Sequence, residues 1–208
     1  MAKSQEELNS LITKLKGTSK ECHLDVVDGK FAHNKSLWFK FSLPTTHSYN
    51  IHLMLAKQHD PIEWIKQHKL TLKHNDIKRY FTQIETVKNI PALLQKSKKT
   101  NIPIGFSLKP STPTSTIKPY IKQLSHILIL TVEPGFYGAP FIPKALKKIQ
   151  QIKKWNKNIK IIVDGHINNK TILKAKTAGA DIAIVGSYLA TSQKPKQTMK
   201  GLKQIIKT

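Results

Sequence analysis

Cys22-His23-Leu24-Asp25-Val26-Val27-Asp28-Gly29-Lys30-Phe31 reads as a β-strand that runs into polar residues and a turn. His23 and Asp25 stand two residues apart, so a strand points both to one face. The same design recurs further along the chain. Asn50-Ile51-His52-Leu53-Met54-Leu55 is a strand carrying a second histidine, and Ile159-Lys160-Ile161-Ile162-Val163-Asp164-Gly165 ends in a second aspartate. Two histidines and two aspartates from three strands suit a divalent metal, and the aspartates suit paired acid/base work.

Helices are predicted between these strands. Ser4-Gln5-Glu6-Glu7 is a capping box, followed by Leu8, Leu11, Ile12 and Leu15 at helical spacing, and Gly17 ends the run. Further helices are expected over 61–68, 91–99, 117–123, 143–155, from a cap at Asn168 or Asn169 to 178, and over 199–206. Further strands are expected over 104–108, 126–132 and 181–185. Residues 28–48 read as irregular, with Trp38, Phe39 and Phe41 as packing anchors. Between 69 and 87 two alternations compete, Leu70-Thr71-Leu72 and Tyr80-Phe81-Thr82-Gln83-Ile84-Glu85.

Strands alternating with helices, the later strands being near-continuous apolar runs, mean a parallel α/β sheet covered by helices. Each polar candidate sits at a strand's C-terminal end, the catalytic face of a (β/α)8 TIM barrel. A doubly wound sheet uses the same ends, but no G-x-G-x-x-G is present. The expectation is one TIM-barrel domain over 1–208, without linkers, repeats or low-complexity tracts.

The 208 residues suffice for one sizeable core. No apolar run approaches membrane-spanning length, and no secretory signal is visible at the start. The lone Cys22 rules out an internal disulfide and fits a reducing cytoplasm; it reads as core packing. Net charge is +23. Arg79 is the only arginine, the lysines run along the whole length without a standout basic block, and aromatics make up 7%. Arginine is what bidentate base reading needs, so most of the charge reads as a solvated lysine surface. Such a surface still attracts phosphate esters and binds RNA weakly and salt-sensitively.

The chain resembles the ribulose-phosphate 3-epimerase family over about residues 4–206. The resemblance rests on the 23–31 stretch, His52-Leu53-Met54, Gly105-Phe106-Ser107-Leu108-Lys109-Pro110-Ser111-Thr112, Thr131-Val132-Glu133-Pro134-Gly135-Phe136-Tyr137-Gly138, Val163-Asp164-Gly165 and Val185-Gly186-Ser187, in the family's order and spacing. The spacing from Glu85 to Lys109-Pro110 also fits, which puts a barrel strand near 79–85. The resemblance implies a (β/α)8 barrel that interconverts ribulose 5-phosphate and xylulose 5-phosphate. His23, Asp25, His52 and Asp164 would hold one divalent ion, Zn²⁺, Fe²⁺, Mn²⁺ or Co²⁺. Asp25 and Asp164 would be the acid/base pair. Gly135, Gly138, Gly165, Gly186 and Ser187 would take the phosphate, with His52 and Asp164 also at the substrate. It also implies a homo-oligomer. The same chemistry on a ketohexose 6-phosphate is an alternative, as is an inactive barrel serving as a basic anion- or RNA-binding protein.

The chain departs from the family at identifiable positions. Met1-Ala2-Lys3 is too short for the barrel's first strand, and Ala2 falls where a substrate-contacting serine is usual, so the first strand is expected to be rudimentary or to lie upstream. Val27 replaces a usual methionine, Gln83 a histidine, Ala139 a glutamine, and His166 a glycine. The 34–50 region is too short for a convincing second helix. Asp28 is read as divided between a turn and a site role, while His33, His74 and His126 are assigned no chemistry. Lys109 is read as either phosphate-facing or a rim lysine.

Overall fold

Ser4 opens the first helix as its sequence predicts. Its hydroxyl accepts the Glu7 N–H at 3.2 Å, and the Glu7 carboxylate takes the Lys3 N–H at 2.7 Å. The helix that follows, α1 (Gln5–Lys14), buries Leu8 and Ile12. The computed structural model describes residues 1–70, 76–135 and 138–207. The Thr71–Leu72 part of one candidate strand, His74, Phe136 and Tyr137 lie outside them. The described residues group into two units, one of Met1–Thr13 and Ser19–Phe106, the other of Lys14–Thr18 and the chain from Ser107 onward.

The first unit holds β1 (Glu21–Asp28), β2 (Lys35–Ser36), β3 (Ser48–Met54), α2 (Pro61–Gln67), β4 (Ile77–Gln83), α3 (Ile90–Thr100) and the start of β5 (Ile104–Leu108). Its strand order is β2-β1-β3-β4-β5. β1 pairs in parallel with β3, and β3 with β4. Every residue of β3 is buried, as befits a parallel strand covered on both faces. Val26, Val27, Ile51, Leu53, Tyr80 and Phe81 form the sheet's share of the core, and α2 contributes Ile62 and Ile65. Asp60 caps α2 by accepting the Ile62 and Glu63 N–H groups at 2.9 and 3.1 Å. Arg79 is spent on the fold: its Nη1 donates to Glu21 Oε2 at 2.7 Å and to Asn50 Oδ1 at 3.0 Å.

Two expectations shift here. β4 starts and ends two residues earlier than 79–85, because Ile84–Thr86 wind into a 3₁₀ turn instead of extending. The Thr86 hydroxyl donates to the Gln83 carbonyl at 3.0 Å and holds that turn. Residues 28–48 are irregular except for β2, which pairs antiparallel with the end of β1, Val27 opposite Ser36 and Asp28 opposite Lys35. As expected, no strand precedes α1 among the described residues. Ala2 lies beside the β2 arm instead, its N–H on Ser36 Oγ at 3.3 Å and its carbonyl accepting the Leu37 N–H at 2.9 Å. An unpaired strand edge is a liability, and this arm covers the last two residues of β1.

The second unit holds β6 (His126–Leu130), α4 (Lys147–Trp155), β7 (Lys160–Asp164), α5 (Ile172–Thr177), β8 (Ile182–Ile184), α6 (Ser187–Ala190) and α7 (Pro195–Ile205). β6, β7 and β8 run parallel in that order. Ile127, Ile129, Ile161 and Val163 are fully buried, as are Ile149, Ile152 and Ala175 from the helices. Residues 118–123 and 143–146 are 3₁₀ turns rather than α-helix, each with a proline in its first turn. α5 begins at Ile172 because Asn168 Oδ1 accepts the Lys170 N–H at 2.8 Å, a local turn that delays the helix. α7 begins four residues before the expected 199, at Pro195, a residue suited to a helix's first turn. Among the described residues no helix is long and apolar enough to cross a membrane.

Candidate functional site

β1 and β3 build the centre of the site. Asp25 lies directly opposite His52 in their parallel register, and His23 lies two residues back on β1. In-register neighbours share a face, so all three side chains meet. His52 Nδ1 is 3.0 Å from Asp25 Oδ1, and His23 Nε2 is 3.3 Å from the same oxygen. The two imidazole centroids are 5.7 Å apart, and Phe81 packs near both, edge-on to His52.

His52 is fully buried and the His23 side chain is nearly so, whereas Asp25 keeps 32% of its side chain accessible. Burial alone would raise the Asp25 pKa; the hydrogen bonds of His23 and His52, first among the opposing causes, outweigh it and hold the carboxyl well below its usual range. Burial lowers the His52 pKa against the pull of Asp25, so the ring is neutral near pH 7. One ionised carboxylate beside a neutral imidazole is the protonation state a metal requires of its ligands. The spacing fits as well. Donors each about 2.1 Å from one ion, at angles between octahedral and tetrahedral, lie roughly 3.0–3.4 Å apart.

His52 is held from behind. The Gln83 side-chain amide, also fully buried, contacts His52 Nε2 at 2.9 Å. The sequence marked Gln83 only as a departure; its register on the strand next to His52 was the available signal. A glutamine amide can present either its oxygen or its nitrogen to that ring nitrogen, so it can serve either tautomer.

The other named residues lie in the second unit. Asp164 is the last residue of β7, and Gly165 turns directly after it. Thr131 grips that turn: its N–H donates to the Asp164 carbonyl at 2.7 Å, and its hydroxyl to the Gly165 carbonyl at 2.6 Å. Gly165 has φ +121°, and an added Cβ would meet Val132 Cγ2 at 2.7 Å, so only glycine fits. Thr131 and Val132 carry no role in the sequence motif they belong to; the structure gives both the task of fixing the turn after Asp164. Gly135 and Gly138 follow β6, Gly186 precedes α6 and Ser187 begins it. All five phosphate candidates therefore follow strand C-termini. Lys109 directly follows β5.

His166 adopts φ +52°, the left-handed region, so this departure from glycine has a cost. Its carbonyl is held by the Thr171 hydroxyl at 2.8 Å. His166→Gly is expected to stabilise the chain by about 0.5–1 kcal/mol, read as a higher urea midpoint. A lower midpoint would refute the strain.

Asp28 has a structural task. Its Oδ1 accepts the Lys30 and Phe31 N–H groups, both at 2.8 Å, and its Oδ2 the Ala56 N–H at 2.7 Å. It thereby ties the end of β1 to the residues after β3.

Residues 1–190 match the family described as Ribulose-phosphate 3 epimerase. The chain is 27% identical over 199 residues to the ribulose-phosphate 3-epimerase of Schizosaccharomyces pombe, covering 92% of this chain and 84% of that protein. Against the ribulose-phosphate 3-epimerase of Buchnera aphidicola it is 29% identical over 205 residues, 93% and 86% of the two chains. Among solved structures, 3-keto-L-gulonate-6-phosphate decarboxylase from Vibrio cholerae superposes with a TM-score of 0.62 at 13% identity, over 98% of this chain and 92% of that one. That likeness shows the fold, a (β/α)8 TIM barrel.

Proposed function

The chain belongs to the ribulose-phosphate 3-epimerase family and is an epimerase; from that premise we propose that it interconverts D-ribulose 5-phosphate and D-xylulose 5-phosphate by two-aspartate proton transfer at carbon 3. The proposal treats 1–208 as one ribulose-phosphate-binding barrel working in the cytoplasm as a homo-oligomer. The observation that carries it is the His23–Asp25–His52 cluster on β1 and β3.

Epimerisation beside a ketone removes the carbon-3 proton from one face and returns one to the other, through a planar enediolate. It needs two acid/base groups on opposite sides. Asp25 takes one role. Both histidines address its Oδ1, which leaves Oδ2 to accept or deliver the proton. Asp164 takes the other, its backbone fixed by Thr131. His23, Asp25, His52 and Asp164 would hold one divalent ion, Zn²⁺, Fe²⁺, Mn²⁺ or Co²⁺, which when bound supplies positive charge against the negative charge that builds on the substrate oxygens. Asp25 must then serve as a base despite a depressed pKa, and its burial offsets part of that depression. Backbone N–H groups at Gly135, Gly138, Gly165, Gly186 and Ser187, with the Ser187 hydroxyl, would receive the phosphate. The lysine-rich surface would steer the anionic substrate inward.

The test is turnover of ribulose 5-phosphate before chelation, after it, and after return of each of the four metals, with bound metal quantified in parallel. Loss on chelation and recovery with about one ion per chain is expected. Full activity in metal-free protein would overturn the ligand assignment, and turnover of a ketohexose 6-phosphate alone would overturn the pentose assignment.

A further inference from the structure

The surplus charge is not evenly shared between the two units. The second holds 20 of the 35 lysines and arginines but only three of the 12 acidic residues, Glu133, Asp164 and Asp181. Asp181 is paired with Lys153 at 2.8 Å and Lys160 at 3.6 Å. The second unit is thus strongly cationic because acidic residues are scarce in it, the lysines being spread over both units.

That unit carries a surface pocket of about 450 Å³ beside the loop that follows β5, and none of the residues assigned to the epimerase site line it. One wall is a face of α4, with Lys148, Gln151 and Trp155 at spacings of three and four. The other is the 110–118 segment, with Ser111, Ser115 and Lys118. The walls are tied together. Lys148 Nζ, on a nearly buried residue, donates to the carbonyls of Lys109 and Thr112, and the Thr114 hydroxyl donates to Gln151 at 2.7 Å. Trp155 is half-buried and lines the pocket. Lys118 Nζ stands 5.3 Å from that ring's centroid. Lys118 and Lys154 are exposed, neither is paired with a carboxylate among the described residues, and no acidic residue lines the pocket.

An aromatic ring with exposed lysines over and beside it, hydroxyls on the opposite wall and a cationic unit beyond is the chemistry that receives a base and its flanking phosphates. The volume lies in the range of small-ligand sites. We infer that this pocket binds single-stranded nucleic acid, one base stacking on Trp155 while Lys118 and Lys154 contact the adjoining phosphates. The contact is sequence-tolerant, since every base offers a π-face and Arg79, the one arginine, is occupied by Glu21 and Asn50. It is independent of the epimerase reading.

The test is fluorescence anisotropy of a labelled 12-nucleotide oligothymidylate across 50–200 mM salt. Inorganic polyphosphate of matched charge serves as competitor, and anionic vesicles as a separate arm. Trp155→Ala should weaken binding roughly 5- to 100-fold at fixed salt with the salt slope unchanged. Trp155→Phe, which keeps a ring and the packing, should stay within a few-fold and controls for folding. Lys118→Gln and Lys154→Gln should each reduce the salt slope by about 0.7, and epimerase turnover should be unaltered in all four variants. Equal affinity of Trp155→Ala and the parent chain would overturn the site, leaving only diffuse lysine binding. Polyphosphate competing as well as the oligonucleotide, or vesicles binding through Trp155 while the oligonucleotide does not, would also overturn it.

Discussion

Asp25→Asn is expected to lower turnover of ribulose 5-phosphate by roughly 10³-fold or more and to strip the bound metal, while the fold survives. Asp25 Oδ1 is the atom on which His23 and His52 converge. An asparagine there supplies no charge to a cation and no base to the substrate. Asp164→Asn should cost turnover roughly 10²- to 10⁴-fold for a different reason. It leaves the three-residue cluster on β1 and β3 intact, so metal should remain bound, with affinity weakened rather than lost. The contrast between the variants is the informative quantity: collapsed turnover in Asp164→Asn at metal concentrations that keep its site filled isolates the proton-transfer role. Metal content and turnover of both variants, with circular dichroism to confirm folding, decide the matter. Asp164→Asn retaining more than about a tenth of the parent's turnover would remove Asp164 from the proton path.

What sequence reading could reach follows from how local each feature is. The His23–Asp25 pair needs only the two-residue period of a strand, and the 104–108 strand needs only its apolar run; both stand where the pattern puts them. β2 could not be read, since two residues make a strand only by pairing with Val27 and Asp28, and no local propensity announces that. The end of β4 misled because Ile84 and Glu85 continue an alternation that the Thr86–Gln83 turn breaks. Pro195 suits a helix start, but the apolar spacing becomes clear only from Met199. Gln83 was legible as an oddity and not as a partner of His52, because their contact depends on the register of two strands 31 residues apart. The concentration of charge, by contrast, is present in the sequence, since residues 107–208 make up nearly all of the second unit and hold only three acidic residues.

Asp28 shows how a residue in the key motif can matter without touching substrate. Asp28→Asn should destabilise the chain by about 2–3 kcal/mol at pH 7. Asparagine can still accept the Lys30 and Phe31 N–H groups through its oxygen, but its amide nitrogen then faces the Ala56 N–H, donor against donor. For a chain of this size that corresponds to a Tm lower by roughly 4–12 °C. The pH dependence separates this account from a simple packing loss. Burial would raise the Asp28 pKa, but the N–H donors, Ala56 first, with His59 3.6 Å away, outweigh it and hold the carboxyl below its usual value. A folded pKa below the unfolded value of about 3.9 means the stabilisation is complete above that pH and is lost as pH falls through the folded pKa. The stability gap between parent and Asp28→Asn should therefore be widest near neutrality and shrink below about pH 4. Urea unfolding of both at pH 7 and at about pH 3.5 measures it. A gap that stays constant between the two would mean that the Asp28 charge contributes nothing and that shape alone holds the end of β1.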